Sequence, residues 1–337
     1  MITPTVDVLR GAIVESRHRV SVAVTDAEGT LVASAGDPDL DTFWRSAAKF
    51  FQALPLVVDG GAEALGVTDP ELAVACASHN GELRHRELAG ALLARAHCGV
   101  DDLACGPHPS LAESVARAAA ERGEKLTRLH SNCSGKHAAM LAQARYRGWR
   151  KEDYADLGHP VQHRCLEEVA RWTGAEEMSI GTGVDGCGVL CFALPIRAMA
   201  LAYARLGARR LGGEGGEARE AAADRLVRAV TAEPFLIAGT GRFCTELLTT
   251  SGGRVIPKVG AEGVYCAALP EAGLGVALKV EDGDFRSSVA ALVAVLDQLA
   301  PGIASVASEW RSPPVKNTRG QIVGWMEAHV PLRANGG

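Results

Sequence analysis

Gly11-Ala-Ile-Val-Glu-Ser-Arg-His-Arg-Val-Ser-Val-Ala-Val24 runs into Asp26-Ala-Glu-Gly29 and then Thr30-Leu-Val-Ala-Ser34. The flanks are rich in Val, Ile and Ser and the centre is a turn sequence, so the segment reads as a β-hairpin. Outward from it, all of Val6 to Gly36 is strand-like. Strand character returns only near the other end, in Arg254-Val-Ile-Pro257, Gly263 to Leu269 and Gly275 to Val280, with turns such as Pro270-Glu-Ala-Gly273 between them. Gln321 to Val330 reads as a last strand. Between these ends the apolar spacing is helical. Helices are expected at 46–58, from Thr68-Asp69-Pro70 to about Ala77, and at 83–97, 110–122, 136–148, 160–173, 194–209, 216–232 and 285–300. The expectation is an α+β fold: one antiparallel sheet built from both chain ends, with a helical lobe at about 60–235 inside a single domain spanning 1–337.

The bulk properties set limits on function. A chain of 337 residues with 47% hydrophobic residues can bury a generous core. The formal charge of −5, with no Lys/Arg stripe interleaved with aromatics, argues against a nucleic-acid partner. No apolar run approaches the roughly 20 residues of a membrane span, and Met1 to Arg10 has no signal-peptide pattern. Nine cysteines, odd in number, irregularly spaced and mostly flanked by apolar residues, read as reduced, buried thiols of a cytoplasmic protein.

Three short motifs carry chemistry: Ser46-Ala-Ala-Lys49, Ser78-His79-Asn80 and Lys258-Val-Gly260. In this order, S-x-x-K, S-x-N and K-x-G form the pattern of serine acyl-transfer enzymes of the β-lactamase and penicillin-binding type. A serine hydroxyl is inert at neutral pH without a base beside it, and a lysine kept neutral by burial can be that base. Ser46 and Lys49 are three apart at a helix start, so their side chains share one face. Ser78 ends a nearly all-apolar helix, where Asn80-Gly81 also suits a helix C-cap. Lys258 stands at a strand edge beside glycines that permit close approach.

Three further loops are polar or glycine-rich. His130-Ser-Asn-Cys-Ser-Gly-Lys-His137 precedes a helical run; its Gly135-Lys136 lacks the upstream glycine and the Ser/Thr of a phosphate loop, so nucleotide binding is rejected. Gly181-Thr-Gly-Val-Asp185-Gly186-Cys187-Gly188 places a carboxylate and a thiol where neighbours add almost no bulk. Gly239-Thr-Gly-Arg242 offers a guanidinium fork to a carboxylate.

With these residues in view, the chain resembles the asparaginase II family, the Rhizobium etli-type, class 3 L-asparaginases. The resemblance rests on Phe43-Trp-Arg-Ser-Ala-Ala-Lys49, Ala75-Cys-Ala-Ser-His-Asn-Gly-Glu82, Cys105-Gly-Pro-His108, Ser131-Asn-Cys-Ser-Gly-Lys-His137, Val184-Asp-Gly-Cys-Gly188, Ala238-Gly-Thr-Gly-Arg-Phe243 and Lys258-Val-Gly-Ala-Glu262-Gly-Val-Tyr265, and spans about residues 6 to 325. It implies a fold similar to serine β-lactamases and glutaminases, hydrolysis of L-asparagine to L-aspartate and ammonia, two Ser-Lys pairs (Ser46-Lys49 and Ser78-Lys258), and a homodimer. It also implies a zinc ion held by Cys133, Lys136 and Cys187, which the residues alone would read as a buried thiol pair. A lysine ligand must be neutral to bind. The substrate-binding residues it points to are Arg45, His79, Asp185, Gly186, Arg242 and Glu262, with Asp185 taking the α-ammonium and Arg45 or Arg242 the α-carboxylate. Phe50-Phe51 and His18-Arg19-Val20 depart from the family pattern without touching these side chains.

Two other readings follow from the same residues. One is a penicillin-binding or β-lactamase-type acyl transferase, disfavoured by the lack of a signal sequence and the short Ser46–Ser78 interval. The other is a non-enzymatic zinc or amino-acid sensor, disfavoured by the presence of all four Ser and Lys side chains.

Overall fold

The structure, a computed structural model, describes residues 3–302 and 308–334. The chain forms two compact units. One takes in the residues up to Ala47, Ala193–Ala208 and those from Leu247 onward; the other takes in Ala48–Phe192 and Arg209–Glu246.

The first unit is built on a nine-stranded antiparallel sheet. Its order is Pro314–Lys316, Ile322–His329, Thr5–Arg10, Ile13–Asp26, Leu274–Val280, Val264–Leu269 and Ile256–Val259, with Leu31–Ala35 and Arg333–Ala334 off this path. Both chain ends therefore supply strands, as the hairpin and tail patterns anticipate. The long strand Ile13–Asp26 explains the joining. Its first half pairs with Thr5–Arg10, and its second half lies between Leu31–Ala35 and Leu274–Val280. Val20 to Val24 are all buried, and since alternate strand residues point to opposite faces, both faces are covered there. The helices Ile196–Ala208 and Phe285–Leu299 pack on the sheet. At Gly275 a Cβ would stand 2.0 Å from Ala200 O, so only glycine admits the first helix so close to the strand.

The second unit is helical. Lys49–Val58 has every residue from Lys49 to Leu56 buried, so it is a central helix without a solvent face. It packs on Pro160–Thr173, Ser134–Arg147 and Gly216–Ala232. Thr68 opens the helix Asp69–Ala75 with a capping box: its backbone N–H and hydroxyl meet the Glu71 carboxylate at 2.7 and 2.9 Å. Helices Leu83–Arg95 and Glu113–Glu121 follow.

Several expectations shift locally. The helix expected from Ser46 begins at Lys49, and Arg45–Ala48 is a single 3-10 turn. Gly181–Val184, read as loop, is a short strand. Gly81 is left-handed at φ 69, but not as a helix cap. It lies beyond the helix end at Ala75, where a Cβ would come within 2.7 Å of His130 O. The short helices Gly61–Ala64 and Phe235–Ala238 fall below the length at which periodicity is visible, and Phe243–Thr250 starts directly after Gly-Thr-Gly-Arg242. None of the nine cysteines, all of them among the described residues, is in a disulfide. Among the described residues no helix is long and apolar enough to cross a membrane.

Candidate active site

Within the helical unit, the first residue of the central helix carries the decisive side chain. Lys49 is fully buried, and its Nζ lies 2.6 Å from Ala77 O, 3.0 Å from Asn132 O and 3.0 Å from Ser78 Oγ. Burial strips water from the ammonium and pushes its pKa down; the like charge of Lys136 adds to this, while Cys133 and Cys187 oppose it. Two backbone carbonyls and the Ser78 hydroxyl oxygen thus enclose the Lys49 amine.

The tertiary structure supplies this arrangement from separate segments. Past Ala75 the chain leaves its helix, and Ser78 N–H and Asn80 N–H donate to Ile237 O and Ala238 O at 3.0 and 2.9 Å. This lacing holds Ser78 beside the lysine. Asn132, whose carbonyl accepts from Lys49, has its own N–H bound to His108 Nε2 at 2.9 Å. Sequence reasoning gave neither Asn132 nor His108 a role, and the only signal was their place in conspicuous polar motifs.

His79 is fully buried, and the fold uses both ring nitrogens. Gly81 N–H donates to Nδ1 at 3.0 Å, so the ring proton sits on Nε2 and faces Ser134 Oγ at 3.1 Å. Burial and the nearby His85 and Lys49 keep this ring neutral. His79 stacks on His85 at 4.8 Å, and His85 on Phe235 at 4.7 Å.

The helix start Ser134–Arg147 brings Cys133 and Lys136 to the loop carrying Asp185 and Cys187. Lys136 Nζ lies 3.0 Å from Cys187 Sγ and 3.8 Å from Asp185 Oδ2; Cys187 Sγ is 3.5 Å from the same carboxylate oxygen. Asp185 Oδ1 accepts from the Gly186 N–H at 2.8 Å. A hydrogen bond between the thiols pushes Cys133 up, to about 12, and Cys187 down, to about 6. Burial alone would lower Lys136, but Cys187, Cys133 and Asp185 outweigh it and hold the amine charged. Among the described residues no three His, Cys, Asp or Glu side chains converge as a metal site. What adjoins here is two thiols and one amine, those of Cys133, Cys187 and Lys136. This donor set suits zinc once Lys136 and Cys133 give up their protons.

The remaining candidates divide between the units. Arg242, in the helical unit, is 9% exposed and donates through NH1 to Asn80 Oδ1 at 2.9 Å. In the sheet unit Lys258 is fully buried, with Nζ donating to Val259 O at 3.1 Å. Ser46 is half-buried in the 3-10 turn. Arg45 NH1 lies 4.0 Å from Glu262 Oε1, and both residues have φ 55, two of the four non-glycine residues in the left-handed region among the described residues. Such backbone costs about 1–3 kcal/mol per residue and concentrates at functional sites.

Comparison with known families decides the affiliation. The L-asparaginase II family model matches residues 6–328. The chain belongs to the L-asparaginase II family. Compared with curated proteins, the sequence of this family member finds no match. Among solved structures it is distantly similar to Mglu, in its tris and glutamate form, at 15% identity and TM-score 0.42, covering 86% of this chain and 61% of that one. It is also similar to simvastatin synthase (LovD) from Aspergillus terreus, LovD6 mutant, at 12% identity and TM-score 0.40, covering 85% of this chain and 90% of that one.

Proposed function

We propose that this L-asparaginase II family member is an amidohydrolase that converts L-asparagine to L-aspartate and ammonia through a serine acyl-enzyme. Family membership supports amide hydrolysis. The observation that carries the mechanism is the buried Lys49 amine, enclosed by two backbone carbonyls and 3.0 Å from the Ser78 hydroxyl. Chain spacing assigns the nucleophile to Ser46, three residues before Lys49. Lys49 takes the Ser46 proton as the oxygen attacks the side-chain amide carbonyl. Ser78, hydrogen-bonded to Lys49, passes a proton on to the departing nitrogen, and the resemblance puts Lys258 on the same path. Water then hydrolyses the ester by the reverse transfer. Asp185 receives the substrate α-ammonium.

Cys133, Lys136 and Cys187 would hold zinc, which would supply a fixed positive charge beside Asp185. Serine keeps the nucleophile's role. The family resemblance also supports a homodimer.

Ammonia release from millimolar asparagine, with zinc supplied, tests the activity; none would sink the enzyme reading. Two serine variants test the roles. Ser46→Ala should lose on the order of 10³-fold or more in kcat with both asparagine and an aspartyl β-ester. Ser78→Ala should lose heavily with asparagine but recover toward wild type with the ester, whose leaving alcohol needs less protonation. If Ser46→Ala turns over normally while Ser78→Ala is dead on both substrates, the nucleophile is Ser78.

A further inference from the structure

A cavity of about 440 Å³ lies within the helical unit, between the helices Leu83–Arg95 and Glu113–Glu121 and the segment 122–130. Small-molecule sites run from roughly 300 to 1,000 Å³. Lys49, Ser78, Lys136 and Asp185 are not part of its lining, so it is separate from the site described above. One wall is apolar. No residue of Glu113–Glu121 is buried, although Val115, Ala118 and Ala119 lie on its cavity side. An amphipathic helix ordinarily presses such a face into a core. Here that face lines the cavity instead, opposite Leu83 and Leu126.

The polar lining is unevenly satisfied. Glu124 is fully engaged, accepting from Arg122 NH2 at 2.9 Å and from Arg86 NH1, with His130 Nε2 at 3.2 Å. Arg122 and His130 above all push its pKa down to about 2, so it stays ionised. Glu82 Oε1 takes the Asn80 amide at 3.2 Å and the Thr240 N–H at 2.9 Å, and Oε2 the Thr240 hydroxyl at 2.8 Å. Both carboxylates are thus committed. Arg86, by contrast, meets Glu124 and His130 through NH1 alone, and its Nε is buried with no partner among the described residues. Two guanidiniums share one carboxylate, and the Arg86 fork keeps donors to spare. An incoming carboxylate would complete that fork, whereas an ammonium would find only engaged acceptors. The apolar wall suits an aliphatic chain.

Two parts of the lining lead toward Lys49. Pro109 and Ser110 follow His108, whose Nε2 accepts from the Asn132 N–H at 2.9 Å, and Asn132 O lies 3.0 Å from Lys49 Nζ. Asn80, two residues after Ser78, also lines the cavity. We infer that this cavity is an effector site for an aliphatic carboxylate, its carboxylate on Arg86 and its chain along Val115, Ala118 and Ala119, and that occupancy alters turnover through His108, Asn132 and Asn80. Binding stands apart from the amidohydrolase reading; the effect on turnover rests on it.

The test uses octanoate, with octanol and octylamine as its neutral and cationic counterparts. Calorimetry is run on the full chain and on Arg86→Met and Ala119→Leu, each checked for folding by Tm. Wild type should bind octanoate, take octanol about 10–100-fold more weakly and leave octylamine unbound. Arg86→Met should bring octanoate down to the affinity of octanol. Ala119→Leu, which fills the cavity from a helix with no buried residue, should lose both ligands and keep wild-type ammonia release. In wild type, saturating octanoate should change kcat/KM for asparagine by roughly 5-fold or more. Half of that change should fall at the calorimetric Kd, and Ala119→Leu should show none. Absent octanoate binding, equal binding of octanol or octylamine, or full binding to folded Ala119→Leu overturns the site. Binding with unaltered kinetics overturns the effector role. If wild type releases no ammonia with or without octanoate, the amidohydrolase reading has failed, and the calorimetric comparison alone decides the site.

Discussion

Gly135 and Gly90 both lie within helices of the same unit, yet alanine at the two positions should act in opposite directions. In a helix interior Gly→Ala gains about 1 kcal/mol of propensity. At Gly90, in Leu83–Arg95, the new Cβ would meet its nearest atom, Leu129 Cδ1, at 3.9 Å, an ordinary contact. Gly90→Ala should therefore stabilise by roughly 0.4–1 kcal/mol. At Gly135, the second residue of Ser134–Arg147, the Cβ would stand 2.2 Å from Val74 O and 2.7 Å from Val74 C. These are backbone atoms of Asp69–Ala75 and cannot rotate away. Restoring contact distance requires the two helices to part by about 1 Å. Overpacking of this kind costs about 3 kcal/mol or slightly more, against the gain of about 1, so Gly135→Ala should be destabilised by about 2 kcal/mol or more. The functional cost should be larger still. One helix leads to Ser78 and the other begins with Cys133 and Lys136, and a displacement near 1 Å can cost about 10²-fold in rate. Urea unfolding of both variants with ammonia-release kinetics checks the pair. If Gly135→Ala proved as stable and active as Gly90→Ala, the close helix crossing, and the site built across it, would be refuted.

Acid should weaken the fold through its buried imidazoles. Burial holds His85 at about 4 and His137 at about 3, and keeps His79 well below its ordinary value. Below pH 6.5 the unfolded chain takes up protons that these rings refuse, so stability falls with pH until the folded value is reached, near 4 for His85. Between pH 7 and 5 His85 alone should account for about 2 kcal/mol. His85→Phe, which keeps the stack with Phe235, should lose less stability over that interval by this amount in urea unfolding, and an identical pH dependence would contradict it. Removing zinc, or Cys187→Ala, should raise the KM for asparagine by roughly 10–100-fold while leaving much of kcat. Steady-state kinetics with metal content by mass spectrometry checks this, and a collapse of kcat at unchanged KM would put the metal in the bond-breaking step.

Local chemistry was legible in the chain alone. Alternating β-branched residues around Asp26-Ala-Glu-Gly29 marked the hairpin, and Thr68-Asp69-Pro70 with Glu71 marked a helix start, because strand pairing beside a tight turn and capping act within a few residues. Ser46, Lys49, Ser78 and Arg242 stood out by type and spacing for the same reason, whereas Cys133, Lys136 and Cys187 became a set only through the family resemblance. Their protonation states and partners did not. The pKa of Lys49 is pushed down because burial removes its water, while carbonyls from positions 77 and 132 enclose its amine. The pKa of Lys136 is pushed up because the Cys187 sulfur arrives beside its amine from position 187. His79, a candidate for substrate binding by the family resemblance, has both nitrogens occupied within the fold, while Glu82, which carried no assigned role, accepts from Asn80 and Thr240. Desolvation and hydrogen-bond counting depend on which backbone atoms enclose a side chain, and those atoms are brought together only by tertiary packing.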